Sequence, residues 1–377
     1  MVNILGNKYN GLKAVQKSLE DNLNIIASDS RLKTINDKII DSRYRIKDLS
    51  TITGTISCIK LAIIDGRLFL LPNPRHVGTI EVRDYQNNTL LKTITDGANA
   101  ETTAICFDDD YIYIAKCIET MTDKKFKDFY VRKYNRCTLE FISESPILYT
   151  GISATSSANS SNIFEMVENG EYLYLACVQT MDTAGIFDKI RKIKKTDFSS
   201  VADIAWKLPL NLIKHTNGFF VVGANGISGD AKYRRIDLLD WDLGIIQTFP
   251  STSTTIDVLR KGFCKGDYLY VCSDNRILVK YQISTNTIVK EIQILGTAYV
   301  RNLISINDNF LLLQTNASKI MLYDADLNFI KTWSFYSPTA TGGQVASDNN
   351  NTIWTQTSVE FTTIYKKQFV DLTKDVI

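Results

Sequence analysis

At 377 residues, 44% hydrophobic, 22% charged and with a formal net charge of +2, the chain has the makeup of an ordinary soluble globular protein. The near-balanced charge gives no argument for nucleic acid or an anionic membrane as partner. No apolar run approaches the length of a membrane span, and the opening MVNILGNKYNG lacks the apolar stretch of a signal peptide.

Residues 1–49 read as helix. Apolar residues step by three and four through Leu12, Val15, Leu19 and Ile26, and again through Leu32, Ile35, Ile39, Ile46 and Leu49. That spacing is the seam of a coiled coil. Asn22 and Ser42 would be polar groups in it, of the kind that fix register and oligomer state. Ala27-Ser28-Asp29-Ser30 breaks the phase between the runs, as a stammer or as a turn with Asp29 or Ser30 capping a second helix. Two readings stand side by side: an oligomeric stem, or a helical pair folded against its own second domain.

From Ser50 the period changes to two. One phrase then recurs seven times, a tight acidic or Gly/Asn turn followed by an apolar burst rich in aromatics. The copies are DGRLFLL, DDDYIYIA, NGEYLYLA, TNGFFVVG, KGDYLYVC, NDNFLLLQ and NNNTIWTQ. Their strands begin at Leu68, Tyr111, Tyr172, Phe219, Tyr268, Phe310 and Ile353, in steps of 43, 61, 47, 49, 42 and 43 residues. Such a period, with four short strands per unit, predicts a β-propeller. The expected fold is mainly β: a seven-bladed propeller over residues 50–377 behind an N-terminal helical segment over residues 1–49. The first unit predicts strands at Ser57–Ile64, Arg67–Leu71, Gly78–Tyr85 and Leu90–Ile94. The last unit lacks a clear fourth strand, which either Phe369–Thr373 or Ser50–Thr55 could supply to close the ring.

The seven cysteines have no C-x-x-C spacing and several lie in apolar strands, which reads as buried free thiols in a reducing compartment. His76 and His215 are the only histidines. No P-loop, dinucleotide-binding fingerprint, G-x-S-x-G elbow or HExxH is present. Asp108-Asp109-Asp110 has the composition of a Ca²⁺ site, but it occupies the same turn as the other six copies and reads as a hairpin. Trp241-Asp242 neither recurs nor has a Gly-His partner, so the Trp-Asp repeat family is not assigned. ASDNNNTIWTQ is similar to the turn phrase of lyase-like and sensor propellers and to the sialidase Asp-box, where it is structural. No catalytic residue, metal site or cofactor is predicted.

Connections from strand two to three, and from strand four to the next unit, emerge on one face. Several are long: Lys116–Asp128, Cys177–Phe187, Gly223–Lys232, Glu144–Asn162 and Tyr336–Gly343. Long loops on a rigid scaffold are where binding usually lives. Within them Lys124, Lys125, Lys127, Tyr130, Trp333 and Tyr336 are the candidate ligand residues, since aromatic faces suit sugars and lysines suit phosphates. Trp333, Phe335 and Phe129 also fit strand positions packed between blades. Glu144–Asn162 reads as a flexible surface link.

A short helical stem followed directly by a propeller head resembles a bacteriophage tail or receptor-binding protein. The resemblance is one of architecture across the whole chain, with no family-specific motif. It implies a non-enzymatic virion protein, made in the host cytoplasm without a signal peptide. Its N-terminal helices would join other tail or baseplate proteins, as a homotrimer. Its long-loop face would bind host cell-surface polysaccharide non-covalently and multivalently. Neither nucleic acid nor membrane insertion enters. Two alternatives stand beside it: a purely structural baseplate, neck or capsid-fibre component, and a propeller hydrolase or lyase acting on carbohydrate, with acids from different blades converging in the central funnel. An intracellular peptide-binding scaffold is more distant.

Overall fold

The computed structural model describes residues 44–52, 58–72, 79–95, 100–119, 126–152, 162–178, 188–206, 208–223, 235–250, 259–273, 276–294, 300–306, 310–315, 319–334, 342–347, 352–358 and 364–371. After β1 (Tyr44–Ile52) the chain forms six blades in succession. Blade one is β2 (Cys58–Ile64), β3 (Arg67–Pro72), β4 (Thr79–Asp84) and β5 (Leu90–Thr95). Blade two is β6 (Ala100–Phe107), β7 (Tyr111–Glu119), β8 (Phe126–Asn135) and β9 (Phe141–Glu144), with β10 (Tyr149–Ile152) also on β8. Blade three is β11 (Asn162–Asn169), β12 (Tyr172–Val178), β13 (Lys189–Lys194) and β14 (Ser200–Ala205). Blade four is β15 (Pro209–His215), β16 (Gly218–Gly223), β17 (Arg235–Leu239) and β18 (Ile245–Thr248). Blade five is β19 (Leu259–Lys265), β20 (Tyr268–Ser273), β21 (Ile277–Gln282) and β22 (Thr287–Gln293). Blade six is β23 (Val300–Ile306), β24 (Phe310–Thr315), β25 (Lys319–Asp324) and β26 (Phe329–Ser334). The closing sheet is β27 (Gly342–Ser347), β28 (Thr352–Ser358) and β29 (Ile364–Asp371), with β1 as its fourth strand. The first strands neighbour one another in sequence around a ring, and β27 returns to β2.

The expectation of a seven-bladed propeller behind a helical segment is corrected on both counts. Six blades consist of consecutive strands. The remaining sheet is a composite, built from the two ends of the described chain. No helix occurs among the described residues, and residues 44–49, expected as the end of a helix, belong to β1. Ile46 and Leu49 therefore share no seam, because residues three apart on a strand face opposite sides. Leu49 is 43% exposed and Ile46 half-buried. The physical reason is the edge of β29: without β1 its backbone groups would be unpaired, and pairing them outweighs a helical spacing preference. Of the two closures considered, the N-terminal one forms, over residues 44–52 rather than 50–55. Leu12, Val15, Leu19, Ile26, Leu32, Ile35 and Ile39 lie outside the described residues. The chain divides into two units, residues 48–368 and residues 1–47 with 369–377. The six blades lie in the first, and the described parts of the second are the ends of β1 and β29.

Each of the seven turn phrases opens the second strand of a sheet. Asp65 and Gly66 both take positive φ, 49° and 67°, the type I′ geometry that matches strand twist. These second strands are apolar at successive positions because both faces are covered by neighbouring blades. Leu68 and Leu70 pack toward the closing sheet, while Phe69 and Leu71 pack toward blade two. The core accordingly lies between blades, in clusters that each draw on two adjacent sheets.

A second turn locks each blade to the one before it. In the turn between strands three and four, Leu139, Phe198, Leu243 and Leu327 take positive φ, 60°, 58°, 68° and 57°. That region is unfavourable for a bulky residue. All four side chains are buried, each in the core shared with the preceding blade. Strand two and three of that preceding blade then hold the turn from outside. The Tyr174 hydroxyl donates to Trp241 O (2.6 Å), and Lys192 Nζ donates to Trp241 O (2.7 Å) and Asp242 (2.8 Å). Tyr270 donates to Ala325 O (2.9 Å) and Lys280 to Asp326 (2.7 Å). Lys366 donates to Tyr85 O (2.7 Å) and Gln86 O (3.0 Å) across the closing seam. The Nζ atoms of Lys192 and Lys280 lie over Tyr172 and Tyr268, 4.4 and 4.3 Å from the ring centres. Trp241-Asp242 is thus a docking turn between blades three and four.

Candidate functional site

The inner strands carry one recurrent interruption. In β2, β6, β11, β15, β19 and β23 the pairing register slips near the start of the strand. A β-bulge of this kind re-aims a side chain. Opposite the fifth residue of strand two stand Lys60, Ala104, Asn211, Lys261, Asn302 and Gln344; in β11 this step falls in the slip that contains Glu165. The inner strands therefore place a polar residue at the same level in six of the seven sheets.

Four of these side chains meet at Glu165. Lys60 Nζ donates to Glu165 Oε1 at 2.5 Å, and Lys261 Nζ approaches Oε2 at 3.4 Å. Asn211 Nδ2 reaches the same Oε2 at 3.3 Å, and its Oδ1 accepts from Gly262 N at 3.2 Å. Blades one, three and five are not neighbours, so the first two contacts run through the bore of the ring. Burial pushes the Glu165 carboxyl upward, but Lys60 and then Lys261 pull harder, and it stays below the ordinary carboxylate range. Desolvation lowers Lys261, aided by repulsion from Lys60 and opposed by Glu165. Glu165 is thus an ionised tie between blades, poorly suited to donate a proton at neutral pH.

Toward the turn side a cavity of about 350 Å³ opens among β2, β6 and β11, walled by Ile64, Ile105, Phe107 and Met166, with Glu168 and Lys214 as its charged groups. Glu168 pairs with Lys214 and, at 3.1 Å, with Lys195, which also holds Asp108 at 2.7 Å. Asp108 further accepts from the backbone of Asp110 and Tyr111 and from the Tyr113 hydroxyl. The Asp108 run is accordingly a turn fastened to blade three. Among the described residues no group of three or more His, Cys, Asp or Glu is arranged to hold a metal.

Three of the six candidate ligand residues fall among the described residues. Lys124, Lys125 and Tyr336 lie outside the described residues. Lys127 belongs to β8, opposite Glu119 and Gly151. Tyr130 is half-buried on β8 in blade two, with Lys116 Nζ 5.6 Å from its ring. Trp333 is half-buried on β26 in blade six, with Lys331 Nζ 5.5 Å from its ring. Blade one and the closing sheet separate these two. Two loop expectations are also corrected. The Lys116–Asp128 connection is strand up to Glu119 and again from Phe126. The Glu144–Asn162 link contains β10, whose Tyr149 stacks on buried Phe129 at 4.3 Å and 6°. Cys117, Cys177 and Cys272 are buried, but Cys137 is exposed in a turn.

Lys60, Glu165, Asn211 and Lys261 escaped the reading of the sequence. Their signal is a polar residue at one shared step of each inner strand, CIKLAII, NIFEMVEN, PLNLIKH and LRKGFCK. It emerges only when the repeats are aligned on their second strands.

Among solved structures the chain is similar to the WD40 β-propeller domain of Doa1, with a TM-score of 0.60 at 11% identity over 86% of this chain and 97% of that one. Raptor of Chaetomium thermophilum aligns with a TM-score of 0.60 at 15% identity, over 86% of this chain and 29% of that one. BamB of Moraxella catarrhalis gives 0.55 at 12% identity, over 86% and 100%. These likenesses establish the propeller fold and carry nothing finer. No protein-family model and no curated protein sequence matches the chain.

Proposed function

We propose that the chain is a non-enzymatic binding platform, a bacteriophage virion protein of the tail or receptor-binding type that presents its long-loop face to a host surface glycan. What supports this reading above all is the use made of the ionisable side chains. Lys192, Lys195, Lys280 and Lys366 are committed to ties between sheets, and Glu165 is neutralised by lysines from two other blades. Such a scaffold is stiff and leaves its variety to the connections of unequal length on one face. Tyr130 and Trp333, both half-buried, keep some aromatic surface, which suits the face of a sugar ring.

The test is binding of the full chain to a panel of purified Gram-positive wall polysaccharides, with polymer length followed in parallel. Saturable binding that weakens about tenfold, or about 1.4 kcal/mol, in Trp333→Ala, with polymer length unchanged, is the expected result. Shortened polymer would replace this reading by a hydrolase or lyase. Absence of binding across the panel would favour a purely structural virion component.

A further inference from the structure

The tie in the bore is unbalanced. Two ammonium groups, Lys60 and Lys261, share one carboxylate, and among the described residues Glu165 is the only acid paired with either. The two contacts are unequal. At 2.5 Å Lys60 makes a full charge-assisted bond, whereas Lys261 at 3.4 Å is well outside the usual 2.7–2.9 Å. Lys261 has three protons to donate and makes one long contact. The second oxygen of Glu165 is shared with the amide of Asn211, so it has little capacity left for a closer approach. The side chains of Lys60 and Lys261 retain 23% and 31% exposure. A net positive charge held among blades is costly unless a counter-charge reaches it.

We propose that the bore binds one small oxyanion, a carboxylate or phosphate group, beside Lys261 and Lys60. The ion takes the donors that Glu165 leaves unused, and the amide-bearing step of the ring, Asn211 and Asn302, sits at the same level. Glu165 is then a built-in competitor for the site. This sets the inference apart from a merely structural tie, in which loss of either partner would have the same sense. It is independent of the glycan reading, which concerns the long-loop face.

The experiment is calorimetric titration of the full chain with inorganic phosphate and, separately, with acetate, at constant ionic strength and up to about 10 mM, a range that captures millimolar affinity. One saturable site is expected with at least one of the two ions, and which of them saturates identifies the kind of group. Binding should weaken about tenfold in Lys261→Met and tighten several-fold in Glu165→Gln, where the competing charge is gone. Should Lys261→Met fail to fold, Lys60→Gln carries the same expectation of weaker binding. No saturable heat with either ion overturns the proposal. So does Lys261→Met binding as the unaltered chain does, or Glu165→Gln binding more weakly.

Discussion

Leu327 offers the sharpest test of how the turns lock the blades. It is 2% exposed in the core shared by blades five and six, at a φ of 57°. Leu278 is fully buried in the same core on β21, without positive φ. Replacing either by alanine removes a packed side chain and should cost about 2–5 kcal/mol. The next step, alanine to glycine, separates them. At Leu278 it loses a further methyl, about 0.8 kcal/mol, and frees the unfolded chain by about 0.4–1 kcal/mol, so glycine should be worse by about 1.5 kcal/mol. At Leu327 the same losses are offset by release from the left-handed region, about 1–2 kcal/mol. Leu327→Gly should therefore match Leu327→Ala to within about 0.5 kcal/mol by this reckoning. Equilibrium urea unfolding of the four variants, compared at matched m-values, measures both steps. If the alanine-to-glycine step is as costly at 327 as at 278, the turn is not held against its backbone preference and the reasoning fails.

Three further outcomes follow from the same contacts. Trp206 Nε1 donates to the fully buried carboxylate of Asp237 at 2.7 Å, so Trp206→Phe should cost about 1–3 kcal/mol by leaving that acceptor short of a donor; a change within 0.5 kcal/mol of zero would contradict it. Glu165 titrates below its ordinary value of 4.5 because Lys60 and Lys261 outweigh burial. Its ionised form is thus favoured in the folded state, and its contribution is complete above pH 4.5 and lost as pH falls through the lowered folded value. The stability gap between the unaltered chain and Glu165→Gln should accordingly shrink on acidification, and a constant gap in acid unfolding would refute the assignment. Cys137 is exposed, while burial pushes the Cys177 and Cys264 thiols up to about 12. A thiol reagent on the native chain should modify Cys137 before Cys177 or Cys264, read by peptide mass.

The repeat made the propeller fold legible, but neither its six consecutive blades nor the strand β1. A turn that demands positive φ and a strand buried on both faces leave a fixed composition, and DGRLFLL or KGDYLYVC can serve little else. The four strands expected in the first blade agree with β2 to β5 to within a residue or two at each end. The closing sheet was only half legible. The sequence shows that the last unit lacks a strand, but residues 44–49 carry a helical spacing of Ile46 and Leu49. Their pairing with β29 depends on an edge that exists only once the ring is assembled.

The bore was not legible for the same reason. Lys60, Glu165 and Lys261 follow one another at intervals of about a hundred residues, and nothing in its own strand marks any of them. Their electrostatics arise from three non-adjacent blades pointing at one axis. Local preference, set by turn chemistry and by which faces are covered, is written residue by residue and determines that a propeller forms. Which charges face one another across its centre is a property of the closed ring, and only the tertiary structure decides it.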